Sequence, residues 1–212
     1  MRILAALAAA MLAFGALVPA RADDAPPKVD GRVGDTPPVT RQATEDAAGL
    51  SRADQLDALF KRLKAAGSEA EATSIENSIA TIWLKSGSDT VDLLMTWTED
   101  AIHQKDYSLA MDYLDRVLTL KPDYAEGWNT RATVEFLNED YGRSMADIER
   151  TLKLEPRHFG ALVGLGTILR DLGQDKQALE VYRYVIGLDP YLSNVRDAIK
   201  DLTDKGADGR DS

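Results

Sequence analysis

The sequence predicts an all-α protein built as a stack of antiparallel helix hairpins. Three prolines stand 34 residues apart, at Pro122, Pro156 and Pro190. Each follows a run of apolar residues with helical period, which a proline then ends. Small residues recur at the same spacing between them, at Ala110, Ser144 and Ala178. A fixed period of this length indicates a repeated helix–turn–helix unit.

The composition suits one soluble domain with additional polar sequence. The chain has 212 residues, of which 44% are hydrophobic and 28% charged, and its net charge is −10. Without any cysteine, the fold must be held by packing rather than by disulfides. Binding to nucleic acid or to an anionic membrane surface needs clustered Lys and Arg. The acidic balance therefore argues against both partners.

Residues 1–22 have the three-part form of a secretory signal peptide. Arg2 precedes an apolar run over residues 3–18, and an A-x-A sequence ends at Ala22. We expect cleavage after Ala22 and a periplasmic or secreted chain that does not stay inserted in a membrane. The alternative is an uncleaved anchor, but the run is shorter than the roughly 20 residues of a spanning helix.

Residues 23–53 contain two Pro-Pro pairs and few large apolar side chains. Such a segment buries too little apolar surface to offset the entropy of ordering it. We expect a disordered arm, serving either as a spacer or as a tether with a short binding motif, and a second disordered segment over residues 205–212.

Residues 54–204 form the predicted helical domain. A first hairpin has apolar residues at helical spacing in both halves, at Leu56, Leu59, Phe60 and Leu63 and then at Ala72, Ile75, Ile79, Ile82 and Trp83. The prolines then define unit 1 (91–124), unit 2 (125–158) and unit 3 (159–192). We expect the hairpin to stack on unit 1 as a degenerate repeat, and a helix over 191–204 to cap unit 3.

The units resemble tetratricopeptide repeats, which implies a superhelical stack. The residues that carry the resemblance in units 2 and 3 are Trp128, Ala132, Tyr141, Ile148, Pro156, Leu162, Leu165, Gly166, Ala178, Tyr182 and Pro190. Unit 2 departs from the family pattern by placing Arg131 and Glu135 at positions that are normally apolar. We expect these two to form a structural ion pair, with Arg131 also reaching Asp147 or Glu149. Alternatively, Arg131 reaches the groove and holds an acidic ligand.

The resemblance further implies a concave groove, lined by the first helix of each unit, that binds a peptide segment of a partner protein. The matching positions here are Asp92, Met95, Glu99, Ile102, His103, Glu126, Asn129, Thr133, Phe136, Val163, Thr167 and Arg170. This surface combines acidic and apolar residues. It favours a partner segment that carries Lys or Arg together with apolar anchors.

Catalysis finds little support in the sequence. His103 lies near Glu99, and His158 follows Pro156, but no phosphate-binding loop, HExxH or GxSxG motif is present. We therefore expect no catalytic residue, no metal and no cofactor. The favoured function is a protein-binding scaffold of the bacterial cell envelope. The alternatives are a self-associating structural module, with homo-oligomers, or a metal-dependent enzyme or its accessory subunit.

Overall fold

The structure is a computed structural model that describes residues 50–208. These residues form nine α-helices: α1 Arg52–Lys64, α2 Glu69–Leu84, α3 Asp89–His103, α4 Tyr107–Leu120, α5 Ala125–Leu137, α6 Tyr141–Leu154, α7 Phe159–Asp171, α8 Asp175–Leu188 and α9 Ser193–Asp208. The expected signal peptide, most of the expected arm and the last four residues, 209–212, lie outside the described residues. Among residues 50–208, no helix is long and apolar enough to cross a membrane.

Units 1 to 3 are three helix hairpins in strict register. Their second helices, α4, α6 and α8, begin at Tyr107, Tyr141 and Asp175. The turn before each of these helices has one residue in the left-handed region, with φ of 61° at Lys105, 61° at Glu139 and 73° at Gly173. This tight turn folds the second helix back on the first, so the expected all-α stack of antiparallel hairpins is confirmed.

The small residues stand where helices approach most closely. Ala110, Ser144 and Ala178 are fully buried, and the Ser144 hydroxyl donates a hydrogen bond of 2.8 Å to the Ala132 carbonyl of the facing helix. At Gly166, a Cβ atom would lie 2.4 Å from Cε1 of Tyr182. Larger side chains at these positions would force the two helices of a unit apart.

The first hairpin, α1–α2, does not pack as expected. Its apolar residues join the core of unit 3 and α9 rather than that of unit 1. The Phe60 ring lies 6.4 Å from the Phe159 ring, and the Trp83 ring lies 4.9 Å from it. The expectation of a fourth stacked repeat was therefore wrong. The spacing of the apolar residues in a helix shows which of its faces is buried. It does not show which other part of the protein packs against that face.

Helix α2 lies along the edge of the stack where the turns between units are found. The Tyr191 hydroxyl donates to the Ala66 carbonyl just before α2 at 2.9 Å, and the Tyr124 hydroxyl donates to the Leu84 carbonyl at its end at 2.8 Å. Trp83 stacks on His158 between these points. The hairpin thus spans the stack from the end of unit 3 to the end of unit 1.

Helix α9 covers the outer face of unit 3. Val195, Ala198 and Leu202 are buried in the same core as α8, as expected of a capping helix. The helix continues to Asp208, beyond the expected end at residue 204. Lys205 forms an ion pair of 2.6 Å with Asp175 of α8, which holds this last part of the helix against unit 3.

Candidate peptide-binding groove

A cavity of about 110 Å³ lies between α2 and the first helices of units 1 to 3. It has three residues of α2 on one side, namely Ala80, Trp83 and Leu84. Seven of the expected groove residues lie opposite: Glu99, Ile102, His103, Glu126, Asn129, Thr133 and Val163. The structure therefore brings together residues from all three units, and α2 closes the groove on one side.

Glu126 is held inside the cavity by a buried hydrogen-bond network. Its Oε2 lies 3.0 Å from Nε2 of His158, and its Oε1 accepts a bond of 3.0 Å from the Asn129 side chain. The backbone N–H of Ala161 donates to Nδ1 of His158, so the neutral imidazole carries its proton on Nε2 and donates it to Glu126. Burial by itself raises the pKa of Glu126, but its hydrogen bond and electrostatic interaction with His158, together with the hydrogen bond from Asn129, outweigh it and hold the pKa below its usual value. Glu126 is thus a fixed negative charge.

Glu99 lies in the same cavity and is half-buried. Its side chain forms no hydrogen bond or ion pair with another described residue. Burial raises the pKa of Glu99, the charge of nearby Glu126 raises it further, and His103 opposes the shift. Glu99 is therefore a carboxylate that has lost part of its hydration without gaining a hydrogen-bond partner within the described part of the chain.

Trp83 forms the apolar wall that α2 contributes. Its ring stacks on the His158 ring at 4.2 Å with an interplanar angle of 15°, and only 4% of the residue is exposed. The indole Nε1–H has no hydrogen-bond partner among the described residues. A buried donor of this kind is costly to leave unsatisfied.

Five of the expected groove residues do not line the cavity. Met95 and Phe136 are core residues, and Phe136 stacks on Tyr141 at 5.6 Å. Thr167 is buried and bonds to the Val163 carbonyl. Asp92 accepts a hydrogen bond of 2.9 Å from the Ser86 backbone before α3, and Arg170 lies 3.8 Å from Asp171. The expectation that Phe136 lines the groove was therefore wrong, because its side chain fills the space between units 2 and 3.

The expected ion pair between Arg131 and Glu135 is also corrected. Arg131 pairs instead with Asp147 through two hydrogen bonds of 2.6 and 3.0 Å and with Asp115 at 3.0 Å. Asp147 was an expected second partner, and this contact is confirmed. Glu135 is 5% exposed, and its Oε2 has no hydrogen-bond partner among the described residues. Asp147 belongs to α6 of the same unit and Asp115 to α4 of the preceding unit, so Arg131 links units 1 and 2. Arg131 is not among the residues that line the cavity.

Two important cavity residues, Trp83 and His158, were not among the expected groove residues. The sequence did indicate a role for His158, because it occupies the same repeat position as Tyr124, 34 residues earlier. Both are large side chains directly before a first helix, and both contact the end of α2. Trp83 could not be found in this way, because nothing in the repeat predicts that α2 forms one side of the groove.

Comparison with known proteins identifies the class to which this fold and groove belong. The tetratricopeptide repeat family profile matches residues 159–191. A TPR repeat-containing protein of Rhizobium etli is 42% identical over 163 residues, which cover 77% of this chain and 80% of the relative. The chain belongs to the tetratricopeptide repeat family.

Solved structures share the fold at low sequence identity. The Sgt2 TPR domain of Aspergillus fumigatus matches with a TM-score of 0.54 and 20% identity, over 59% of this chain and 84% of that one. The TPR2B domain of yeast Sti1, in a complex with pHsp70, matches with a TM-score of 0.51 and 14% identity, over 56% and 99% of the two chains. Stacks of this kind present extended concave surfaces on which proteins bind, so the fold is that of a protein–protein interaction scaffold.

Proposed function

We propose that this protein is a non-catalytic interaction module that holds a segment of a partner protein in the groove between α2 and the first helices of the units. The observation that carries this proposal is the cavity itself, with the fixed charge of Glu126 and the carboxylate of Glu99, which has no hydrogen-bond partner among residues 50–208. Family membership supports it, and so does the complex of the yeast Sti1 domain with pHsp70. The shape also suits such a role, because an extended segment can lie across residues from three units.

Photo-crosslinking in the native cell tests the groove. A crosslinking amino acid is placed at His103 or Asn194, which are exposed at the cavity, and at Arg150 on the outer surface of α6 as the matched control. We expect adducts with the same partner from both groove positions and none from Arg150. Adducts from Arg150 alone would move the binding surface to the outer helices and contradict the proposal.

We further propose that the protein acts in the bacterial cell envelope after export. The support is the three-part pattern of residues 1–22. Mass spectrometry of the exported protein is expected to find a chain that begins at Asp23. A membrane-bound species that keeps Met1 would show an anchor instead.

The exposed end of unit 1 favours self-association as a second candidate. Trp97 is 44% exposed and Leu93 is 48% exposed. The equivalent residues of Trp97 in units 2 and 3, Arg131 and Leu165, contact the preceding unit. If this face pairs two copies, Trp97→Glu should convert a dimer into a monomer in sedimentation experiments without changing the groove crosslinks. A wild-type protein that sediments as a monomer at high concentration would reject this candidate.

A further inference from the structure

We propose that the cavity accepts the side chain of a lysine or arginine from the partner segment, with its cationic head against Glu99 and its methylene stem along the apolar wall. This inference rests on the proposed function, since it names the chemistry that the groove recognises.

The charges of the cavity favour a cation. Glu99 and Glu126 line it, and the exposed His103 side chain lies close enough to influence Glu99. The side chains of His158 and Asn129 already satisfy Glu126, whereas Glu99 has no hydrogen-bond partner among the described residues. A cation would supply the missing partner of a partly desolvated carboxylate. No Lys or Arg is found among the described residues that line the cavity, so an acidic segment would find no counter-charge.

The walls favour a long side chain over a compact cation. Ile102, Phe159 and Val163 line the cavity together with the Trp83 ring, and methylene groups of Lys or Arg pack well on such surfaces. The volume of about 110 Å³ suits one side chain, since an apolar cavity of roughly 150 Å³ holds a benzene molecule.

The unsatisfied indole N–H of Trp83 adds an independent requirement, because it needs a hydrogen-bond acceptor. A peptide segment that carries a lysine provides both the cation and, in its own backbone, carbonyl acceptors. A metal ion would meet the first requirement and not the second.

The test uses Nα-acetyl-lysine methylamide as a probe and follows the indole N–H signals of the mature chain by NMR. We expect a saturable shift of the Trp83 signal, while the exposed Trp97 serves as an internal control. Nα-acetyl-norleucine methylamide, which has a similar stem and no charge, should bind at least about tenfold more weakly. Alanine methylamide with a free α-amine distinguishes a peptide amino terminus from a side chain, and stronger binding of this compound would overturn the assignment to lysine.

Variants separate charge recognition from simple burial. Glu99→Gln should reduce the affinity for the lysine compound about tenfold and leave the norleucine compound unchanged. Glu149→Gln, at an exposed residue that pairs with Lys153 on the same helix, is the matched control and should change neither. Equal binding of the two compounds, no effect of Glu99→Gln, or no binding of either compound would overturn the inference. If groove crosslinks persist in that case, the proposed function stands and only the cationic specificity is lost.

Discussion

The two interfaces between repeat units use the same helix positions with different chemistry. Arg131 in α5 and Leu165 in α7 are equivalent residues, and so are Glu135 and Leu169. Leu165 packs on the apolar core shared by units 2 and 3. Arg131 instead pairs with Asp115 across the interface between units 1 and 2 and with Asp147 inside unit 2. The backbone repeat therefore does not dictate how units adhere. One interface depends on packing, and the other depends also on ionisation.

The largest effect should come from removing Arg131. Arg131→Met takes away the bidentate partner of Asp147, which is 5% exposed, and leaves a buried carboxylate unpaired. We expect a loss of about 1.5–3 kcal/mol in the free energy of unfolding, measured with urea. Arg143→Met, at a residue paired with Asp140 on the surface, should change it by less than about 0.5 kcal/mol. Similar effects of the two changes would mean that the Arg131 network contributes no more than a surface pair.

The close packing of α7 on α8 in unit 3 is tested at Gly166. Gly166→Ala places a Cβ atom 2.4 Å from the Tyr182 ring, and Tyr182 is only 2% exposed, so the ring has little room to move. We expect destabilisation of about 1–3 kcal/mol in thermal or urea melts. Gly187→Ala is the control, because a Cβ atom there meets nothing within 4 Å. If Gly166→Ala were neutral, α7 and α8 would not be packed as closely as described.

A smaller, pH-dependent effect distinguishes Glu135 from its equivalent residue in unit 3. Burial and the charge of Asp147 raise the pKa of Glu135 from 4.5 to about 7, whereas the equivalent Leu169 cannot titrate. The folded state then binds a proton that the unfolded state releases, so stability is lost as the pH rises from about 4.5 through 7.

Glu135→Gln should remove this loss. We expect the variant to be more stable than wild type at pH 8, by on the order of 1 kcal/mol, and nearly equal to it at pH 5. Burial and Asp189 also raise the pKa of Glu76 to about 8, but that contribution is common to both proteins and cancels in the difference. A variant that is less stable than wild type at pH 8 would contradict this account.

The smallest effect concerns the turns within the units. Lys105 and Glu139 have φ of 61°, where unit 3 has Gly173. Because a side chain is strained in this conformation, Glu139→Gly should stabilise the protein by about 0.5–1 kcal/mol in urea melts. The reverse change, Gly173→Glu, should destabilise it by a similar amount. If Glu139→Gly destabilised the protein instead, the entropic cost of glycine would exceed the strain.

Much of the fold could be predicted from the sequence, because the turn residues, the small residues and the prolines recur at a fixed spacing. The groove was predictable in part for the same reason, since Glu99, Glu126 and Asn129 occupy equivalent faces of successive helices. The remaining features depend on contacts between distant segments. No period indicates that Trp83 packs on His158, or that Arg131 prefers the facing Asp147 to Glu135 on its own helix. Phe136 likewise has an apolar side chain that suits a groove or a core, and only packing decides between them.

The position of the first hairpin also bears on how the chain folds. Repeat arrays usually make contacts only between neighbours, so folding can begin at any unit and spread along the chain. Here Asp57 pairs with Arg157 across 100 residues, and closing so long a loop is slow and entropically costly. During synthesis, Phe60 and Trp83 leave the ribosome well before Phe159, the residue on which they pack. The nascent hairpin therefore reaches its native packing partners only after the last repeat has been made, and its contacts link the two ends of the array.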